Sequence, residues 1–161
     1  MQIENHQFTP NKRVTSFNAR DLNKPLWRDA AQHRRGLIFA TELGERQGKD
    51  QYLMRSSSGF ALGVGYKDWP KPQGGDALRS MAVITRPPHP CFSQYHDKSI
   101  PLFIQLEAEL IKEWLSPSLI TSPAIEHLLA HPTITSDLEV SRVRTYTHAE
   151  RLSNEGQLAA D

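Results

Sequence analysis

Apolar residues in this chain come in short runs, and the spacing inside each run separates strands from helices. Gly36–Ala40 is a continuous apolar run, the pattern of a buried strand. Gln51–Arg55 alternates, with Tyr52 and Met54 on one face and Leu53 on the other. Phe60–Tyr66, Met81–Thr85, Ile100–Ile104 and Leu138–Tyr146 read as further strands, the last as the final one, and Val14–Phe17 as a short extended lead-in. Within Phe60–Tyr66, Gly63 and Gly65 suggest close approach by another element. Gly44–Asp50 and Ser56-Ser57-Ser58-Gly59 read as turns, and Lys67–Ser80 as an exposed loop.

Helices are expected in separate blocks. Pro25 suits a first helical turn, and that helix should stop near Arg34-Arg35, ahead of Gly36. Leu106, Leu110, Ile111, Trp114 and Leu115 recur at helical spacing, and Pro123–His131 places Ile125, Leu128 and Leu129 together. Pro87, Pro88 and Pro90 exclude regular structure over Arg86–Tyr95. Strands joined by short turns with helices set apart predict an α+β fold with a mainly antiparallel sheet. Residues 1–13 read as a flexible arm, 14–150 as a single domain and 151–161 as a disordered tail.

Composition narrows the function classes. A chain of 161 residues with 38% hydrophobic positions can bury one real core. The formal net charge of +1 offers no global attraction for nucleic acid, so any phosphate contact needs a local patch. The single cysteine, Cys91, allows neither an internal disulfide nor a cysteine-based zinc site, and no metal or cofactor is expected. No apolar run is long enough to span a bilayer and no secretory signal opens the chain, which predicts a cytoplasmic protein without a membrane partner.

Candidate chemistry lies in three short stretches. Asn18 and Arg20 share one side of an extended segment, where an amide and a guanidinium could hold a sugar and a phosphate. Glu45 follows the Gly36 strand as a possible proton carrier; its plainer role is a solvated turn charge. His96, delivered with Asp97 and Lys98 by the proline-broken loop after Thr85, suits proton transfer near neutral pH. Lys24, Arg28, Arg34 and Arg35 form a basic cluster that is either a solvated helix face or a backbone contact. Cys91, flanked by Pro90, has no device to activate its thiol.

The order of these motifs resembles the SRAP family, the SOS-response-associated peptidase or abasic-site-shielding domain, over roughly Phe17 to Val143. Asn18-Ala19-Arg20, Lys24-Pro25-Leu26-Trp27, Phe39-Ala40 followed by Glu45, Ile84-Thr85 followed by His96-Asp97-Lys98, and Glu139-Val140-Ser141-Arg142-Val143 stand in the family's order. The resemblance implies a sheet curled toward a barrel with a few peripheral helices. It implies binding of single-stranded DNA at abasic sites, where an N-terminal Cys closes a thiazolidine on the opened sugar. Asn18, Glu45 and His96 would then be catalytic, and Arg20, Thr85 and Lys98 would contact DNA.

The chain also departs from that pattern. Gln2 stands where the family has the nucleophilic Cys, only 17 residues precede Asn18, and Leu43, Gly44 and Arg46 replace aromatics around Glu45. The expectation is a truncated or divergent member that cannot form the thiazolidine. Two further readings are a residual abasic-site lyase acting through the Met1 amine and a catalytically inactive structural or regulatory remnant. Loss of the family's first strands would expose a sheet edge, which predicts marginal stability, a homodimer, or a separate chain completing the sheet.

Overall fold

The computed structural model describes the backbone of residues 2–4 and 7–9 and, in full, residues 18–71, 74–146 and 150–161. Val14–Phe17 lies outside the described residues. Within the expected arm, Gln2–Glu4 (β1) and Gln7–Thr9 (β2) pair antiparallel.

The rest is an α+β fold built on one eight-stranded sheet. Its spine is β5 (Asp50–Trp69), which pairs along one side with β4 (Arg35–Gln47). Along the other side it meets β9 (Leu138–Val143), β8 (Phe103–Ile104) and β6 (Leu78–Arg86) in turn. β6 then carries β7 (Ile100–Pro101) and, in parallel, β3 (Asn18–Ala19). That parallel pair makes the sheet mixed, and the sheet does not close. Among the described residues β4 pairs with β5 alone.

Several sequence expectations change. The turn between β4 and β5 is two residues, Gly48-Lys49, because Gly48 takes φ 61° and lets both strands run to its edge. Ser56–Gly59 is not a turn: β5 continues through it as a bulge opposite Thr41, with Gly59 at φ 74°. The expected loop over 67–80 is shorter, since β5 extends to Trp69 and β6 begins at Leu78. Ile100–Ile104 splits into β7 and β8, and β9 is not the last strand.

Residues 151–161, expected to be disordered, form β10 (Arg151–Leu158) beside β9. Leu158 supplies an apolar anchor in the core. Beyond it, the Ala160 N–H donates to Asp137 Oδ1 at 2.9 Å, and Asp161 exchanges two hydrogen bonds with the Ile134 backbone. A polar edge strand needs only such an anchor, which composition does not reveal.

Three helices cover one side: α1 (Pro25–His33), α2 (Ala108–Leu115) and α3 (Pro123–Ala130). Ser122 caps α3 by accepting the Ile125 N–H. The residues from β7 into β8 alternate between two cores. Leu102 and Ile104 join Trp114, Ile125 and Leu128 under the helices, while Phe103 faces Phe60, Phe92 and Val140. Gly63 lets Trp114 close on the sheet, as an added Cβ would lie 3.0 Å from its ring. Arg35 is buried; its guanidinium donates to carbonyls of Ala31, Glu113, Trp114, Ser116, Leu119 and Ile120. It therefore ties the end of α1 and the end of α2 to the first residue of β4.

Candidate functional site

The outer end of the β4–β5 hairpin positions Glu45, and the loop after β6 positions His96. That loop folds as a tight turn: the Phe92 and Ser93 N–H groups donate to the His89 carbonyl, and the His96 N–H to the Phe92 carbonyl. Phe92 and Tyr95 sink into the core, and Tyr95 meets Tyr52 edge-on with centroids 5.0 Å apart. His96 is thereby pressed against β4. Its Nδ1 lies 2.9 Å from the Arg46 carbonyl and 3.4 Å from Glu45 Oε2. One residue on, the Asp97 N–H donates to Gln47 Oε1 at 3.2 Å.

This geometry selects a tautomer. A carbonyl oxygen only accepts, so His96 Nδ1 carries a hydrogen, and in the neutral ring Nε2 has the lone pair. The Glu45 carboxyl sits just outside hydrogen-bond range of the same nitrogen, close enough for charge coupling. Burial pushes the Glu45 carboxyl above the usual carboxylate range, and a positive charge on His96 opposes that rise. The pair thus sets a carboxyl group and an imidazole 3.4 Å apart.

An open cleft of about 660 Å³ adjoins the pair, lined by Arg46, Gln47, Gly48, His96, Asp97 and Lys98. The Arg46 Nε–H is engaged by the Gly48 carbonyl at 2.9 Å. Lys98 is exposed, and its ammonium has no hydrogen bond or ion pair among the described residues.

Glu45 therefore meets His96, and His96 and Lys98 line one cleft, whereas Asn18 and Arg20 stand apart from them in the strand register. Asn18 pairs with Val83, which pairs with Val64, which pairs with Gly36 at the other end of β4. Both Asn18 and Arg20 are exposed, and the structure gives neither a bond to Glu45 or His96. Thr85 is buried, and its hydroxyl has no partner among the described residues. Of the basic cluster, Arg34 pairs with Asp29 and donates to the Tyr66 carbonyl, and Arg35 is structural. Cys91 is exposed and free.

Tyr146 is a site neighbour that sequence reasoning missed. Its hydroxyl donates to the Glu45 carbonyl, and its ring lies over Gly44, where an added Cβ would meet it at 3.0 Å. Burial and the Glu45 charge both raise its phenol above the usual range. Gly44 inside a strand was the available signal, since such a glycine marks close approach.

His127 and His131 carry an HxxxH spacing on α3 and stack with centroids 4.4 Å apart. No group of three or more side chains able to hold a metal occurs among the described residues. No helix among them is long and apolar enough to cross a membrane.

Among solved structures, a protein from Bacteroides thetaiotaomicron is similar, with a TM-score of 0.60 and 21% identity. The match covers 81% of this chain and 59% of the other, so this chain spans little more than half the length of that neighbour. No curated protein matches. A family model described as SOS response associated peptidase (SRAP) matches residues 4–148, and the chain belongs to that family.

Proposed function

We propose that this protein recognises abasic sites in single-stranded DNA, with Glu45 and His96 moving protons on the opened sugar. The observation that carries the reading is the Glu45–His96 contact, at 3.4 Å between groups from β4 and from a loop beyond β6. Family membership gives that contact a context. Glu45 holds its proton to higher pH than a solvated carboxylate and is the donor to the sugar oxygen as the ring opens. His96 Nε2 is the acceptor. Lys98, at the mouth of the cleft, and Arg20, exposed beyond β3, supply positive charge for phosphates.

The family's thiazolidine requires a thiol and a free α-amine on one residue. The internal Cys91 has its amine in a peptide bond and does not meet that requirement.

Fluorescence anisotropy with a single-stranded oligonucleotide tests the reading, comparing an abasic position with an intact base. Abasic DNA should bind more tightly, and each phosphate contact should add about −0.7 to the slope of log K against log salt. H96A should leave binding in place and abolish any adduct. Equal affinity for intact and abasic strands would refute the proposal.

A further inference from the structure

We infer that His127 and His131 form a two-imidazole chelate for a divalent late transition metal ion, of the copper and zinc class, on the exposed face of α3. The site shares no residue with the Glu45–His96 pair, and its failure would leave the abasic-site reading untouched.

The two histidines stand one helical turn apart, the only two in the sequence separated by four residues. Ile125 and Leu128 turn the other side of α3 into the core, so both imidazoles face outward and are exposed. Their rings stack with centroids 4.4 Å apart and 27° between planes. Metal–imidazole bonds are about 2.0–2.1 Å long, so two nitrogens on one ion lie within about 4.2 Å of each other. The His127 ring has no hydrogen bond among the described residues, and its rotation closes that span.

His131 carries a second, independent sign of a ligand. The His127 carbonyl accepts its backbone N–H at 2.9 Å and its Nδ1 at 3.2 Å. A carbonyl only accepts, so Nδ1 carries a hydrogen, and in the neutral ring Nε2 has the lone pair. A ring nitrogen donating to a backbone carbonyl while the other faces solvent is the arrangement that orients metal-bound histidines. His33 and His96 each have Nδ1 on a carbonyl, of Pro117 and of Arg46, but neither has a second histidine one turn away.

The donor set selects the ion. Neutral imidazole suits copper, nickel and zinc, whereas magnesium and calcium require oxygen. Each Nε2 replaces one water of the hydrated ion, with no change in oxidation state and no proton released. No group of three ligating side chains occurs among the described residues, so water holds the other coordination positions.

Isothermal titration calorimetry of the full chain with CuCl2, ZnCl2 and MgCl2, in a buffer that does not bind metals, tests the inference. Electron paramagnetic resonance of the copper complex counts the coordinating nitrogens. Wild-type protein should bind Cu²⁺ more tightly than Zn²⁺ and give no heat with Mg²⁺. The copper spectrum should show two imidazole nitrogens. H127A and H131A should each weaken Cu²⁺ binding by about 100-fold or more, because either change reduces the chelate to a single contact. H33A should bind like the wild type. Circular dichroism should show unchanged helix content in every variant, since both rings are exposed. Equal Cu²⁺ affinity in wild type and in the H127A/H131A double variant would overturn the inference. A one-nitrogen spectrum from the wild type would overturn it without recourse to any variant.

Discussion

Arg35 offers the sharpest stability test, because one side chain serves carbonyls from three segments. Its Nε bonds the Trp114 carbonyl at 2.7 Å, and its terminal nitrogens reach Ile120 at 3.0 Å, Ser116 at 3.1 Å, and Leu119. Contacts to Ala31 at 3.3 Å and Glu113 at 3.4 Å are weaker. Of the carbonyls that end α2, that of Glu113 also accepts the Ser116 N–H, and the guanidinium caps that of Trp114. It also stacks on Trp114, with 5.3 Å from Cζ to the ring centroid.

A buried carbonyl left without a donor costs about 1–3 kcal/mol, but the charge itself pays for its burial, so the contacts do not add. R35K keeps the charge with a single ammonium that cannot span the fork, and should cost about 2 kcal/mol. R35A should cost about 3–5 kcal/mol. For a chain of this length R35K then lowers Tm by roughly 4–8 °C. Thermal unfolding followed by circular dichroism and Trp fluorescence reads both variants. An R35K melting point within about 1 °C of wild type, or an R35A variant no less stable than R35K, would refute the capping argument.

Two further tests address packing and charge. In G63A the new methyl would lie 2.9 Å from a Leu102 methyl and 3.0 Å from atoms of Ile104 and Trp114. The variant should lose about 1–3 kcal/mol in urea unfolding, and equal stability would show that the helices are not seated closely on β5. Glu45 is an acid whose folded pKa is raised. From the ordinary carboxylate value of about 4.3 up to that raised value the folded state binds more protons, so its contribution to stability falls as pH rises. E45Q should flatten that part of the stability–pH curve and gain relative to wild type above it; parallel curves would contradict the burial.

Much of the frame was legible because individual residues punctuate it. Pro25 opens α1, Pro123 opens α3 behind its Ser122 cap, and the apolar run at Gly36–Ala40 lies within β4 as expected. Local signals failed where a residue type has two uses. Gly59, with the serines before it, looks like a turn, yet the same left-handed conformation serves a bulge inside a continuous strand. Arg34 and Arg35 are neighbours with opposite fates, one half-exposed beside Asp29 and one buried. Only the arrival of α2 and the segment after it separates them. The Glu45–His96 contact has no periodicity to announce it and was suggested by motif order alone. Tyr146 docks on Glu45 from beyond β9, a contact that no local pattern encodes.

The lengths of chain that separate the two halves of the site also set the order in which it forms. Glu45 meets its cross-strand partner Tyr52 through a two-residue turn, a local hairpin of the kind that closes in about 1–10 μs. His96 cannot dock until β6 has paired and its proline-broken turn has packed Phe92 and Tyr95. In the interval Glu45 is a solvated acid of ordinary strength. Docking of the loop removes its water, so between the ordinary and the raised pKa the protein takes up a proton as the site closes.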